Sequence, residues 1–316
     1  MQEFIWIIQL LSGMLVITAG SAILIAALIH FARSLKINES IIAVILVGFA
    51  SALPEYVIAV NAYIYKVPEL IFANAIGTSI VSLSLIAGMI AIFKKDFSTK
   101  KILSSYQYII LSIAVTLPIL FSLDGTISRL EGILLLIVFA FYIIHLWINT
   151  KNIKLNFPET NKKNAFLLLA MFLATFSIFL SGEFLVSAMQ TISFNSGLSI
   201  FLITIALLAP IGAIPELIYE FELIRKKESS LTFGDLFTSI VINTTFILGI
   251  ISVFSPIHVV ISPTITFSLL FLSILILIFN ILIKTKERLS WKEGILLVML
   301  YTIFIGSSFL IYIASM

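Results

Sequence analysis

No cysteine occurs among the 316 residues, so disulfides, thiolate metal sites and thiol nucleophiles are excluded at once. Charge is almost as scarce. Only 11% of residues are Asp, Glu, Lys or Arg, against about 25% in an ordinary soluble domain, which excludes a soluble globular fold. The 3 histidines, His30, His145 and His258, fall near helix ends and read as interfacial rather than as metal ligands. Extended polar sequence is also rare. The one such stretch, Asn149 to Lys163, holds Pro158 and four lysines and reads as a linker too short for a regulatory module.

Hydrophobic residues are abundant, at 60%. An apolar run of about 18 residues or more reads as a transmembrane helix. Ten such runs lie near 5–32, 41–65, 70–93, 103–122, 130–149, 165–192, 198–224, 233–254, 262–283 and 294–314. The first does not read as a cleavable signal, because it is long, lacks a basic stretch before it and has Glu3 there instead. An all-α integral membrane protein is the expected class.

The net charge of +3 says little, but its distribution orients the chain. One set of alternate loops holds 17 Lys and Arg, from Arg33 and Lys36 to Arg288 and Lys292, and the other holds only Lys66 and Arg129. Basic loops stay in the cytoplasm, so both termini are expected outside the cytoplasm, with the cell membrane as location. These basic runs are short and juxtamembrane, which argues against nucleic acid as a partner.

The two halves repeat. Gly20 answers to Gly182, and Glu131-Gly132-Ile133-Leu134-Leu135 answers to Glu293-Gly294-Ile295-Leu296-Leu297 at the identical spacing. Pro54-Glu55 answers to Pro215-Glu216 at a spacing one position shorter. Each half holds five helices, an odd number, so the second enters the membrane from the opposite side. The expected organisation is a first repeat over 1–149, a linker over 150–164 and an inverted repeat over 165–316. Inverted repeats in secondary transporters place substrate near the midplane where they meet.

Each half carries a proline beside a glutamate in mid-membrane. Proline removes a backbone donor and breaks or bends the helix, so Pro54 frees the carbonyl of Ala50 and Pro215 that of Ile211, beside the backbone of Gly212. An acid at bilayer depth costs about 2.5–3.5 kcal/mol or more and reads as functional. Helical spacing puts Asn74, Thr78 and Ser82 on one face, and Asp235, Ser239 and Asn243 on another. Such stripes also suit helix packing, but the matched pair is expected to line a polar path to Glu55 and Glu216. Carboxylates, carbonyls and hydroxyls together make an oxygen-only cage that suits a hard cation such as Ca²⁺. Two close carboxylates without a cation would repel, which leaves proton exchange open as well. Glu183, mid-helix, has no acidic counterpart and reads as either a structural hydrogen bond or a gate. Glu220, one turn past Glu216, reads as lining a solvated vestibule, and Asp235 as a helix-start acid.

Ser51-Ala52-Leu53-Pro54-Glu55 with Asn74-Ala75-Ile76-Gly77-Thr78-Ser79 resembles the first α-repeat of the sodium/calcium exchanger family, whose pattern is G-T-S-L-P-E followed by G-N-x-x-G-S-N. Thr78 follows Glu55 at the same spacing as Ser239 follows Glu216, where the family has its G-S-N serine, and Gly182-Glu183-Phe184 is similar to its sixth helix. The resemblance covers nearly the whole chain. It implies that Glu55 and Glu216 hold Ca²⁺ and share in Na⁺ sites, with Ser51, Thr78, Ser82, Ser239 and Asn243 around them and Asn74, Ser79, Asp235 and Glu183 as accessory candidates. It also implies sliding of the first and sixth helices. The chain departs from the pattern where Gly212 and Ala213 replace a Thr and a Ser, where Ser51 and Ala52 stand for Thr and Ser, and where Thr238 replaces a glycine.

The expected function is secondary antiport of Ca²⁺ against Na⁺ or H⁺ by alternating access, with no cofactor, and with inorganic cations and the lipid bilayer as partners of a monomer. Exchange of Mg²⁺, Mn²⁺ or K⁺, or a binding protein that has lost transport, are the alternatives. An intramembrane lipid enzyme would need a nucleophile–base pair or an Asp-rich or His-containing metal motif, and none is present.

Overall fold

The computed structural model describes residues 2–34, 52–94, 96–98, 105–149, 164–225, 236–286 and 288–315. Ten helices occur among the described residues. In the first half they are α1 (Gln2–Ser34), α2 (Leu53–Ile64), α3 (Pro68–Lys94), α4 (Ser105–Phe121) and α5 (Arg129–Asn149). The second half has α6 (Asn164–Ser196), α7 (Ile200–Ile203 continued by Ala209–Arg225), α8 (Leu236–Phe254), α9 (Pro263–Lys286) and α10 (Trp291–Ser315). Seven of these are long and apolar enough to cross a membrane. The linker residues 150–163 lie outside the described set.

The repeat is visible in the packing. α1 and α6 occupy the same place in their halves and lie antiparallel, Gly13 beside Leu185 and Gly20 beside Ile178. Equivalent elements running in opposite directions make an inverted repeat, so the fold is ten transmembrane helices in two inverted sets of five. Each set also reaches into the other. A Cβ on Gly88 of α3 would lie 2.8 Å from the carbonyl oxygen of Gly294 of α10, and one on Gly132 of α5 would lie 2.9 Å from that of Gly249 of α8. Gly88 and Gly249 are repeat equivalents, as are Gly132 and Gly294, so the third helix of each repeat meets the fifth of the other, backbone on backbone. Only glycine permits that approach, and membrane helices associate through such close packing.

Short strands, not anticipated from the apolar runs, tie the loops together in the same crossed manner. β1 (Asp96–Ser98) pairs antiparallel with β4 (Arg288–Ser290), and β2 (Thr126–Ile127) with β3 (Ile257–His258). Two capping boxes explain why the Glu-Gly motif repeats. The amide of Ser128 donates to Glu131 at 2.7 Å and that of Ser290 to Glu293 at 2.7 Å, so each glutamate satisfies a donor at the start of the fifth helix of its repeat.

α3 and α8 are the centre. Of their most apolar windows, 78% and 83% of residues are buried, against 17% for α5 and 22% for α10. Helices buried on all sides yet rich in Ser, Thr and Asn must satisfy those groups internally, or use them.

Pro54 lies in the first turn of α2, with Ala52 as the cap, a position where the missing amide costs nothing. The expected break at Pro215 is corrected. α7 runs as one helix from Ala209 to Arg225, through position 215; its irregularity is a π segment upstream, Thr204–Leu208. Proline still leaves the Ile211 carbonyl without its usual donor.

Candidate cation site

Both central helices widen at the same place. α3 contains a π segment at Ser82–Ile86 and α8 one at Ile242–Ile247, and Asn243 follows Ser82 at the spacing that relates Glu216 to Glu55. A π turn shifts the hydrogen-bond register and leaves a carbonyl with a strained or missing partner, a feature common at functional sites. Here hydroxyls relieve it. Ser84 donates to the carbonyl of Ile80, and its repeat equivalent Thr245 donates to that of Val241 at 2.5 Å. Thr244 does the same to Ile240 at 2.7 Å. Such back-bonding accompanies a bent or widened helix.

The widened turns face the glutamate helices crosswise. α2, which begins beside Glu55, packs on the Ile242–Ile247 segment, and the Ala209–Arg225 part of α7, which carries Glu216, packs on α3 and its Ser82–Ile86 segment. Tyr56, next to Glu55, stacks on Phe246 with centroids 6.3 Å apart, and Phe139 leans on Phe246 at 4.9 Å. These rings pack the start of α2 against α8 and α5. Gly77 of α3 touches Ile205 and Ala209 of α7, bringing the start of the polar stripe against α7.

Inside this centre, Glu55, Asn74, Thr78, Ser82, Ser239 and Asn243 are all buried. Thr78 Oγ1 donates to the carbonyl of Asn74 at 2.8 Å and accepts from Asn243 Nδ2 at 3.3 Å. That second bond joins α3 to α8 and leaves Asn243 Oδ1 buried with no hydrogen-bond partner; Glu55 Oε2 is in the same state. A buried polar atom without a partner costs about 1–3 kcal/mol, more when charged, so two such oxygens in one packed core ask for a ligand. Thr238, beside Ser239, is held by the hydroxyl of Tyr142 of α5 at 2.6 Å, which fixes the rotation of α8. Among the described residues no group of three or more His, Asp or Glu could hold a metal. A cation here would rest on carboxylate, amide, hydroxyl and carbonyl oxygens together.

The remaining candidates divide. Ser79 is fully buried and donates to the carbonyl of Ala75 at 2.7 Å, a packing role. Ser51, Asp235 and the backbone of Ala50 lie outside the described residues. Glu216 is partly buried. Glu220 is fully buried, which corrects its assignment to a solvated vestibule; α7 turns that face inward. Glu183, on α6, lies close to the Tyr65 hydroxyl of the α2–α3 turn. Sequence reading missed the π segments, Tyr142 and Asn61. The matching hydroxyls Ser84 and Thr245 were the available signal for the first. Nothing in the sequence separated the other two from lipid-facing residues.

The model of the family described as sodium/calcium exchanger protein matches residues 5–148 and 165–310. The putative antiporter CaxA of Alkalimonas amylolytica is 24% identical over 292 residues, 89% of this chain and 90% of that protein. Among solved structures, the H⁺/Ca²⁺ exchanger CAX superposes with a TM-score of 0.72 at 19% identity, covering 98% of this chain and 88% of that one. The sodium-calcium exchanger NCX_Mj, soaked with 2.5 mM Na⁺ and 10 mM Sr²⁺, gives 0.65 at 22% identity, covering 96% and 99%. At such identities these superpositions establish the fold.

Proposed function

This chain belongs to the sodium/calcium exchanger family, and on that premise we propose that it exchanges Ca²⁺ for Na⁺ or H⁺ across the cell membrane by alternating access. Members of the family are transporters, so the enzyme reading is set aside. The observation that carries the proposal is the pair of buried, unpartnered oxygens, Glu55 Oε2 and Asn243 Oδ1, in the most buried part of a ten-helix membrane fold. Such atoms are tolerable when a cation satisfies them part of the time, and a site that binds too well would not release.

Glu55 and Glu216 supply the charge that balances a divalent ion. Ser51, Thr78, Ser82, Ser239 and Asn243, with the backbone of Ala50, Ile211 and Gly212, supply neutral oxygens. The side-chain oxygens missing at Gly212 and Ala213 reduce the number of sites for Na⁺ more than they weaken divalent binding, which makes H⁺ a serious coupling ion. CAX and NCX_Mj, by their names, handle H⁺/Ca²⁺ and sodium/calcium exchange. The repeats 1–149 and 165–316, joined by a cytoplasmic linker 150–164, would work as a monomer with both termini outside.

The test is Ca²⁺ uptake by purified protein in proteoliposomes, under a Na⁺ gradient and separately under a pH gradient. Uptake driven by one gradient and lost in both Glu55→Gln and Glu216→Gln supports the proposal and names the coupling ion. No driven uptake of Ca²⁺, Mg²⁺, Mn²⁺ or K⁺, together with no cation binding by calorimetry, ends it.

A further inference from the structure

α5 runs as an unbroken α-helix from Arg129 to Asn149, and it meets α8 on both sides of the latter's π segment, Ile242–Ile247. Past the segment, a Cβ on Gly249 would lie 3.0 Å from the carbonyl oxygen of Gly132 and 3.0 Å from Leu136 Cγ. Ahead of it, the hydroxyls of Tyr142 and Thr238 are hydrogen-bonded at 2.6 Å. Within it, Phe246 carries Phe139 of α5, centroids 4.9 Å apart. Tyr142 and Thr238 are both buried, so neither hydroxyl can exchange the other for bulk water.

A π turn holds one residue more than an α turn. Rewinding it as α would rotate the helix on one side by about 100° relative to the other, the angle of one residue. With Gly249 packed on Gly132, that rotation would carry Thr238 off Tyr142 and take Ser239, its neighbour, with it. Thr244 and Thr245 brace the turn from within, through the carbonyls of Ile240 and Val241; Tyr142 braces it from outside. The other repeat is built differently. There the equivalents of Thr238 and Tyr142 are Gly77 and Phe304, at the spacings that relate Glu55 to Glu216 and Glu131 to Glu293. Neither has a hydroxyl. Phe304 stacks instead on Phe267 at 5.8 Å and Phe271 at 4.6 Å, and the Ser82–Ile86 turn rests on α10 and α9. The two hydroxyls that distinguish the second arrangement from the first are thus the two that bond to each other.

We propose that Tyr142 is a positioning residue for the cation site, pinning the π turn of α8 through Thr238 so that Ser239 and Asn243 keep their rotation opposite α3. Asn243 is the residue whose amide reaches Thr78 at 3.3 Å, so the turn that Tyr142 pins is the one that offers the buried oxygen. A hydrogen bond weakens steeply as it bends, so this pin resists rotation where ring packing would follow it. The role in cation binding rests on the exchange reading, while the pin itself does not.

Hydrogen exchange of the full chain in detergent, without added cation, reads the pin directly. Tyr142→Phe keeps the ring and Thr238→Val keeps the shape. Each should speed exchange of the amides of 242–247 at least about fivefold and leave those of 82–86 unchanged, which a general loss of structure would not allow. The double variant should add nothing to either single one, as one shared bond requires, and Thr238→Ser should behave as the parent. Calorimetry should show Ca²⁺ bound at least about fivefold more weakly by both single variants, and within about twofold of the parent by Thr238→Ser. Unchanged exchange in both single variants overturns the proposal, and so does faster exchange with Ca²⁺ affinity intact. Faster exchange in a protein whose parent form binds none of Ca²⁺, Mg²⁺, Mn²⁺ or K⁺ would uphold the pin and remove the exchange reading.

Discussion

Asn243 of α8 donates its amide to the hydroxyl of Thr78 of α3, 3.3 Å away, and this bond crosses from one repeat to the other between the two central helices. It orients the asparagine so that Oδ1 is the atom left over. A long contact therefore decides which end of the amide is left without a partner.

Thr78→Val keeps the shape and removes the acceptor, leaving Asn243 Nδ2 as an unmet donor. Loss of a buried partner costs about 1–3 kcal/mol, so calorimetry should show Ca²⁺ affinity reduced about tenfold or more while far-UV circular dichroism is unchanged. Thr78→Ser should restore most of it.

Ligand linkage gives a second measurement. If Glu55 holds the cation, Ca²⁺ at about 100 times its dissociation constant stabilises the folded protein by about 2.7 kcal/mol, seen as a higher melting temperature in detergent. Glu55→Gln removes the buried charge, so the cation-free protein should melt no lower than the parent and should show no Ca²⁺-dependent rise.

The glycine crossings are a test of the fold. Gly88→Val would drive a side chain into the Gly294 carbonyl, 2.8 Å from where its Cβ must sit, and overpacking of this kind costs about 1–3 kcal/mol. Gly249→Val should cost a similar amount, because α8 meets α5 at Gly132 in the same way. A tolerated substitution at either position would contradict the crossed packing.

Glu293→Gln weakens the cap on Ser290, where the carboxylate accepts from both the amide at 2.7 Å and the hydroxyl at 2.9 Å. Caps contribute about 1 kcal/mol, so thermal unfolding should shift by that amount and transport should persist.

Much of the architecture is legible because it is written in one dimension. Apolar length marks a span whatever its neighbours are, and a nearly constant spacing between matched motifs exposes duplication without coordinates. The buried candidates Glu55, Thr78, Ser82, Ser239 and Asn243 are reachable by the same route, since polar residues at bilayer depth stand out against lipid-facing ones. Glu220 is not, because its closeness to Arg225 suggests water while the rotation of α7 buries it. Asn61 looks in sequence like one more polar residue near a helix end.

Hydropathy and periodicity are properties of the chain, so the membrane class, the ten spans, the inverted halves and the paired glutamates follow from the order of residues with no coordinates at all. Three outcomes waited on packing. Pro54 starts its helix, α3 and α8 widen into π turns opposite the glutamate helices, and Asn61 of α2 donates to the carbonyl of Phe179 across the α2–α6 contact. Those outcomes depend on helix rotation and on which backbone groups find partners, and both are settled only when separate helices meet.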